Sequence, residues 1–316
     1  MKRLKSLAKI FSFQDEADNS GLFVTLDELI EQRRYVAYLK ALTARLAVSN
    51  QAGDVKSAFK GRGIELEEVR SYTFGDDIRD IDWRVTARKD TPYTKLYAEE
   101  KDREIYVLLD LSPYMVFGTR KELKSVAAAK IAGLLGWLAL GNKDRFGCII
   151  FDGRNNYVFK PKNHQGNLIA IFKKIAAVSQ EILRKMNEPQ NDGFAKTVKL
   201  VQQNIKSQAT VFVISDFNYF DDALKKAIAG MARRTKVFMV NVFDVLEENP
   251  PKGGEYMAAD YGRRLVFNSS SKQFQKAYKA HFALKRHDAR QFALRFGCRY
   301  LEVRTDIELY KQLKVA

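Results

Sequence analysis

Two apolar runs of this chain end in an acid beside a hydroxyl. Ile105-Tyr106-Val107-Leu108-Leu109 leads into Asp110-Leu111-Ser112, and Thr210-Val211-Phe212-Val213-Ile214 leads into Ser215-Asp216. Continuous apolar runs of this length fit strands buried on both faces, as in parallel sheets. Open α/β sheets bind ligands and ions outside the carboxyl ends of their strands, so both acids are expected on one edge. Two carboxylates and a hydroxyl, with water, are hard oxygen ligands of the kind Mg2+ takes. Asp110, Ser112 and Asp216 are therefore the candidate metal residues. Phe217, Tyr219 and Phe220 follow Asp216 directly. They fit an exposed contact patch at the rim, where aromatic side chains concentrate binding energy, and equally the apolar staple of the next helix.

The flanking sequence alternates strand and helix signals. Strands are expected at Ile105–Leu109, Phe146–Phe151, Thr210–Ile214, Lys236–Phe243 and Arg299–Val303, with a short edge strand at Asn155–Phe159 after the Asp152-Gly153 turn. Helices are expected at Lys121–Leu140, Leu168–Lys185, Phe194–Ile205, Ala223–Arg233, from Lys272 to about Arg295, and near Asp306–Leu313. Alternation of this kind implies an α/β fold, a mostly parallel sheet covered on both faces. Upstream, Thr25-Leu26-Asp27-Glu28 is a capping box opening a helix to about Val48. The organisation read from this is a basic amphipathic tail and linker over 1–21, a helix and Asp/Arg-rich hairpin segment over 22–100, and the sheet domain over 101–316.

The Asp/Arg segment has its own two readings. Asp76, Asp77, Asp80 and Asp82 with Arg70, Arg79, Arg84 and Arg88 fit an ion-pair network pinning a hairpin onto the sheet domain, since guanidinium forks match carboxylates two bonds at a time. The same residues fit a docking face. Trp83 and Ile81 call for burial and Gly75-Asp76 reads as a turn, which favours the structural reading.

Composition narrows the partners. The 316 residues carry a formal charge of +16, which favours an acidic partner: nucleic acid, anionic lipid or acidic protein. No RNA-binding aromatic signature or Cys/His finger accompanies the charge, so nucleic acid ranks below protein. Cys148 and Cys298 both lie in or beside apolar strands, which fits buried thiols in a reducing compartment. No apolar run approaches the ~20 residues of a membrane span. Residues 1–13 have helical spacing with Lys2, Lys5 and Lys9 opposite Leu4, Leu7 and Phe11. That spacing suits peripheral membrane contact or a terminus packed on its own domain. Cytoplasmic placement, at the inner membrane face if that contact is made, is the expectation. His164, His281 and His287 lack zinc-hydrolase spacing, and neither a Gly-x-Ser-x-Gly nor a P-loop sequence occurs.

Two stretches resemble known families. Asp110-Leu111-Ser112-Pro113-Tyr114-Met115 resembles the Asp-x-Ser-x-Ser opening of the metal-ion-dependent adhesion site of von Willebrand factor A folds. Gly61, Arg62, Gly63, Arg70, Tyr72, Gly75, Asp76, Asp77, Arg79, Ile81, Asp82, Trp83, Ala87 and Arg88 match the hallmark of the bacterial domain-of-unknown-function 58 family. The resemblance implies a doubly wound von Willebrand factor A-like sheet. It also implies a non-enzymatic protein-interaction adaptor acting with a MoxR-type AAA+ ATPase, or its client, in the assembly or activation of other proteins. Mg2+ is the implied cofactor, but the site is degenerate. Tyr114 stands where the pattern has its second hydroxyl, and no Thr precedes Thr197 in the Asn191-Asp192-Gly193-Phe194 region where the pattern has one. If a divalent ion sits at the edge, an acidic side chain of the partner completes its coordination. If none does, Tyr114 and the basic surface engage that acid directly. The competing readings are a metal-dependent phosphoesterase or nuclease using Asp110 and Asp216, and a nucleic-acid-binding protein.

Overall fold

Alternation along one strand sets the architecture. Within Glu104–Asp110 every residue is buried, with Ile105, Val107 and Leu109 in one apolar cluster and Tyr106 and Leu108 in another. Successive side chains of a strand point to opposite faces, so this strand separates two cores. The computed structural model describes residues 21–36, 66–73, 76–89, 91–97, 103–184, 193–205, 208–260 and 263–312.

The strands are β1 (Leu66–Ser71), β2 (Tyr93–Tyr97), β3 (Glu104–Asp110), β4 (Arg145–Phe151), β5 (Asn156–Lys162), β6 (Thr210–Ser215), β7 (Lys236–Phe243), β8 (Glu255–Asp260), β9 (Arg263–Asn268) and β10 (Arg299–Arg304). The helices are α1 (Leu26–Glu31), α2 (Trp83–Lys89), α3 (Lys124–Gly141), α4 (Gln165–Arg184), α5 (Phe194–Asn204), α6 (Asp222–Ala232), α7 (Val245–Glu248), α8 (Lys272–Arg295) and α9 (Leu309–Gln312). The central sheet has six strands in the order β5-β4-β3-β6-β7-β10. β3, β4, β6, β7 and β10 pair in parallel, and β5 runs antiparallel to β4. The chain thus winds outward from β3 to one side and then restarts at β6 on the other. The β3/β6 junction is the topological switch point at which doubly wound sheets open a crevice.

α3 and α4 cover one face, and α5, α6 and the C-terminal part of α8 cover the other. α3 is apolar all round, the mark of a helix enclosed by its surroundings. Among the described residues it is the one helix long and apolar enough to cross a membrane by length and composition, which corrects the reading that no apolar run comes near that length. Its Ala and Gly content hid it, yet 83% of the helix is buried inside the protein.

α1 belongs to the same core. Leu29 packs among α3 and α4 residues, the Trp137 indole donates to Leu29 O (2.9 Å), and Val24 N donates to Ser179 Oγ (3.1 Å). The expected capping box is present, with Glu28 N donating to Thr25 Oγ1 and Thr25 N to Glu28 Oε2. The segment 21–36 is therefore part of the sheet domain's packing, although the sequence reading grouped it with the hairpin. Its expected continuation to Val48, the tail 1–13 and Gly61-Arg62-Gly63 lie outside the described residues.

β1 and β2 form the expected antiparallel hairpin, but the Asp/Arg segment differs from the reading. Arg70 and Asp76 pair at 2.7 Å. Asp77 Oδ1 accepts from Arg79 N, and Asp82 Oδ1 accepts from Arg84 N and Val85 N, so these acids cap short helical turns. Arg79, Arg84 and Arg88 are exposed. Trp83, expected inside, is 67% exposed on the first turn of α2.

Both flanks of the main sheet are guarded. Along β5, Lys160-Pro161 sits in the register irregularity opposite Phe146/Cys148, and Pro161 lies between two lysines, Lys160 and Lys162. At β10 the Gln312 side chain accepts from Arg304 N (2.7 Å) and donates to Arg304 O (2.8 Å).

Candidate functional site

The ends of β3 and β6 meet, as the two apolar runs require. Asp110 closes β3 and is buried. Ser112 N donates to its Oδ1 at 2.9 Å, and Ser215 Oγ, from the end of β6, donates to its Oδ2 at 2.6 Å. Burial, and secondarily the nearby charge of Asp216, raise the Asp110 carboxyl to about 6 against the two hydrogen bonds that favour its ionised form. The two acids are thus neighbours on one rim.

Asp216 has different company. Its Oδ1 accepts from Asn218 N (2.9 Å), and its Oδ2 accepts from Asn218 Nδ2 (2.6 Å) and Lys124 Nζ (2.6 Å). Lys124, the first residue of α3, also donates to Glu247 Oε1 of α7 at 2.9 Å. Its side chain is 1% exposed. Burial pulls the ammonium down, but Asp216 and Glu247 outweigh it and hold Lys124 up at about 12. Lys285 reaches over from α8 to donate to Asn218 Oδ1 (2.6 Å). Sequence reasoning missed Lys124 and Glu247. The available signal was a lysine opening an otherwise apolar, small-residue helix.

The rim aromatics divide. Tyr114 and Tyr219 lie with ring centroids 4.5 Å apart, and Tyr219 is 52% exposed. Phe217, expected to contact a partner, is instead 6% exposed and packs edge-on against Phe220, 5.7 Å away. Its φ of 49° places it in the left-handed region, where a bulky residue is uncommon and a site is often near. That turn drives the Phe217 ring into the core and leaves Asp216 and Tyr219 at the edge. Between them lies a cleft lined by Asp110, Ser112, Tyr114, Asp216, Tyr219 and Asp221, among others; among the described residues no Lys, Arg or His lines it. The expected engagement of an acid by nearby basic residues therefore has no support in this lining.

The candidate metal donors are already engaged within the protein. Both Asp110 oxygens accept protein hydrogen bonds, and Asp216 Oδ2 is held by an ammonium. Tyr114 replaces a short hydroxyl, and Thr197 Oγ1 is directed to Asn156 Oδ1 at 2.5 Å. Among the described residues no group of three His, Cys, Asp or Glu side chains could hold a metal.

Two other parallel strands, β4 and β7, also end in acids. Asp152, after β4, accepts from Arg154 N and Asn155 N in a turn. Asp244, after β7, is fully buried and accepts from Thr119 N, Thr119 Oγ1, Thr305 Oγ1 and Leu246 N. These two hold loops in place, which leaves Asp110 and Asp216 at the switch point.

A family model described as "Protein of unknown function DUF58" matches residues 68–288. Uncharacterized protein Mb1516 of Mycobacterium bovis and uncharacterized protein Rv1480 of Mycobacterium tuberculosis are each 24% identical over 263 residues, covering 80% of this chain and 78% of the relative. Among solved structures, the conserved hypothetical protein BatB from Bacteroides thetaiotaomicron is 15% identical with a TM-score of 0.40, covering 67% of this chain and 95% of that one. An aerotolerance-related membrane protein from Bacteroides fragilis is 13% identical with a TM-score of 0.41, covering 68% of this chain and 100% of that one.

Proposed function

Because the chain belongs to the DUF58 family, we propose that it is a non-enzymatic adaptor of the von Willebrand factor A type, binding a protein partner across the β3/β6 edge. The observation that carries this reading is the Tyr114–Tyr219 ring pair, half-buried at Tyr114 and exposed at Tyr219, beside two acids already hydrogen-bonded within the protein. Aromatic pairs at a rim make interface anchors. The wound order of the sheet, with its third strand antiparallel, supports the von Willebrand factor A assignment. The partner we infer is a MoxR-type AAA+ ATPase or its client, presenting an apolar or aromatic segment rather than a bare carboxylate, since the cleft lining is acidic.

The enzymatic alternative, a metal-dependent phosphoesterase or nuclease, needs a carboxylate free to hold an ion or act as base. Asp110 and Asp216 are both engaged. The free, buried thiols Cys148 and Cys298 support a reducing, cytoplasmic setting, with residues 1–13 as the peripheral membrane contact.

The test is a pull-down with wild-type protein beside Tyr114→Ala/Tyr219→Ala, together with phosphoesterase and nuclease assays in Mg2+ and Mn2+. Loss of a MoxR-type ATPase or one defined client from the double variant, with no turnover by either protein, is the expected result. Turnover that disappears in Asp110→Ala overturns the adaptor reading.

A further inference from the structure

The sheet edge holds a cation that is part of the chain. Lys124 heads the fully buried side chains when these are ranked by residue size. Local rules disfavour it there. The first turn of a helix carries free amides and the positive end of the macrodipole, so it favours acids over bases. An enclosed ammonium is tolerated only when paired and hydrogen-bonded. A residue that breaks local rules and is nonetheless fully accommodated marks a functional or strained position.

The accommodation is specific. Nζ lies 2.6 Å from Asp216 Oδ2, 2.9 Å from Glu247 Oε1 and 5.6 Å from the centre of the Phe117 ring. Two carboxylates and an aromatic face thus surround one positive charge. The carboxylates come from the loop after β6 and from α7 after β7, so the ammonium joins two strand ends. A divalent ion at this edge would need Asp216, whose Oδ2 is already in contact with Nζ.

We propose that Lys124 Nζ is the resident cation of this edge, in place of a divalent ion, and that the space between Asp216 and Glu247 is a cation site filled by the chain itself. Recognition at the adjoining cleft is then independent of free metal. The inference concerns the edge that the adaptor reading uses, but its test reads ions alone, so either can fail while the other stands.

The test uses the full chain, stripped of metal with a chelator, and Mn2+ as the probe, followed by calorimetry and thermal denaturation. Wild type is expected to give no binding heat and no change in Tm at millimolar Mn2+. Lys124→Ala is expected to gain a Mn2+-dependent rise in Tm, which Lys124→Ala/Asp216→Asn lacks. Mn2+ binding by wild type that Asp216→Asn abolishes overturns the proposal, and so does a folded Lys124→Ala that ignores Mn2+. Where Lys124→Ala does not fold, the wild type answers alone through NMR of its 15N-labelled lysine ammonium groups. A protected Lys124 signal that Mg2+ leaves unmoved is the expected result, and displacement or loss of that signal on adding Mg2+ overturns the assignment.

Discussion

Replacing Asp110 with Asn should stabilise the protein, and by an amount that grows with pH. Burial and the neighbouring Asp216 lift the Asp110 carboxyl from 3.8 to about 6. Below the lower value the folded and unfolded chains both hold the proton. Between the two values the unfolded chain releases it while the folded chain keeps it, so stability falls as pH rises; above the higher value the loss is complete. The rise is about 2 units, and at about 1.4 kcal/mol per unit the folded state loses about 3 kcal/mol across this window. Asn keeps the geometry, because its oxygen can accept from Ser112 N and its amide can donate to Ser215 Oγ, the two groups that Asp110 engages. It cannot ionise. Urea unfolding of both proteins between pH 4 and pH 8, extrapolated linearly to water, should give near-equal stabilities at the acid end and an advantage of about 3 kcal/mol for Asp110→Asn at the alkaline end. A difference that stays constant with pH, or a 13C titration placing the Asp110 carboxyl below its ordinary value, would refute the argument that desolvation dominates at this strand end.

Three further outcomes follow from the same geometry. Lys124→Met strands Asp216 and Glu247 without their cation and should cost about 3–5 kcal/mol in chemical denaturation, much of it recovered when Asp216→Asn and Glu247→Gln are added. Asp244→Ala leaves the Thr119 and Thr305 hydroxyls and two amides without their acceptor and should cost about 3–5 kcal/mol. Because those bonds outweigh burial and lower the Asp244 carboxyl, its contribution is full at neutral pH and fades as pH falls through the folded value. The stability advantage of wild type over Asp244→Asn should therefore be largest at neutral pH and shrink as pH falls, and acid unfolding of Asp244→Asn should begin at a pH no lower than that of wild type. Trp83→Ala, at an exposed position, should change stability by no more than about 0.5 kcal/mol; a loss of several kcal/mol in thermal or urea unfolding would show that the ring is covered in solution.

The core strands were legible because burial on both faces leaves no polar alternation to confuse the reading. Lys236–Phe243 and Lys272–Arg295 have the limits their patterns predicted. α3 starts at Lys124 rather than Lys121, because residues ahead of it form a loop that Thr119 ties to Asp244 across the sheet edge. The hairpin β8–β9 was not anticipated. Its cross-strand pair Met257 and Val266 is exposed on one side, while Phe267 stacks on Phe274 of α8 on the other, and such a ribbon lacks the buried run that announces a core strand. At the site, Asp110 and Asp216 were readable from their place after apolar runs. Lys124 was not, since its partners are 92 and 123 residues away in sequence. Trp83 misled because a large aromatic residue favours burial on average, and only coordinates reveal one left outside.

Strand-by-strand growth into a neighbouring molecule is hindered at both borders of the six-stranded sheet. Open strands invite foreign strands to pair with them. Here a proline between two lysines denies hydrogen-bond continuity along one border, and the amide of Gln312 occupies the exposed backbone groups of Arg304 at the other. Lateral addition of a foreign strand is thereby hindered at these two points of the main sheet, which favours recognition through the loops at the strand tips.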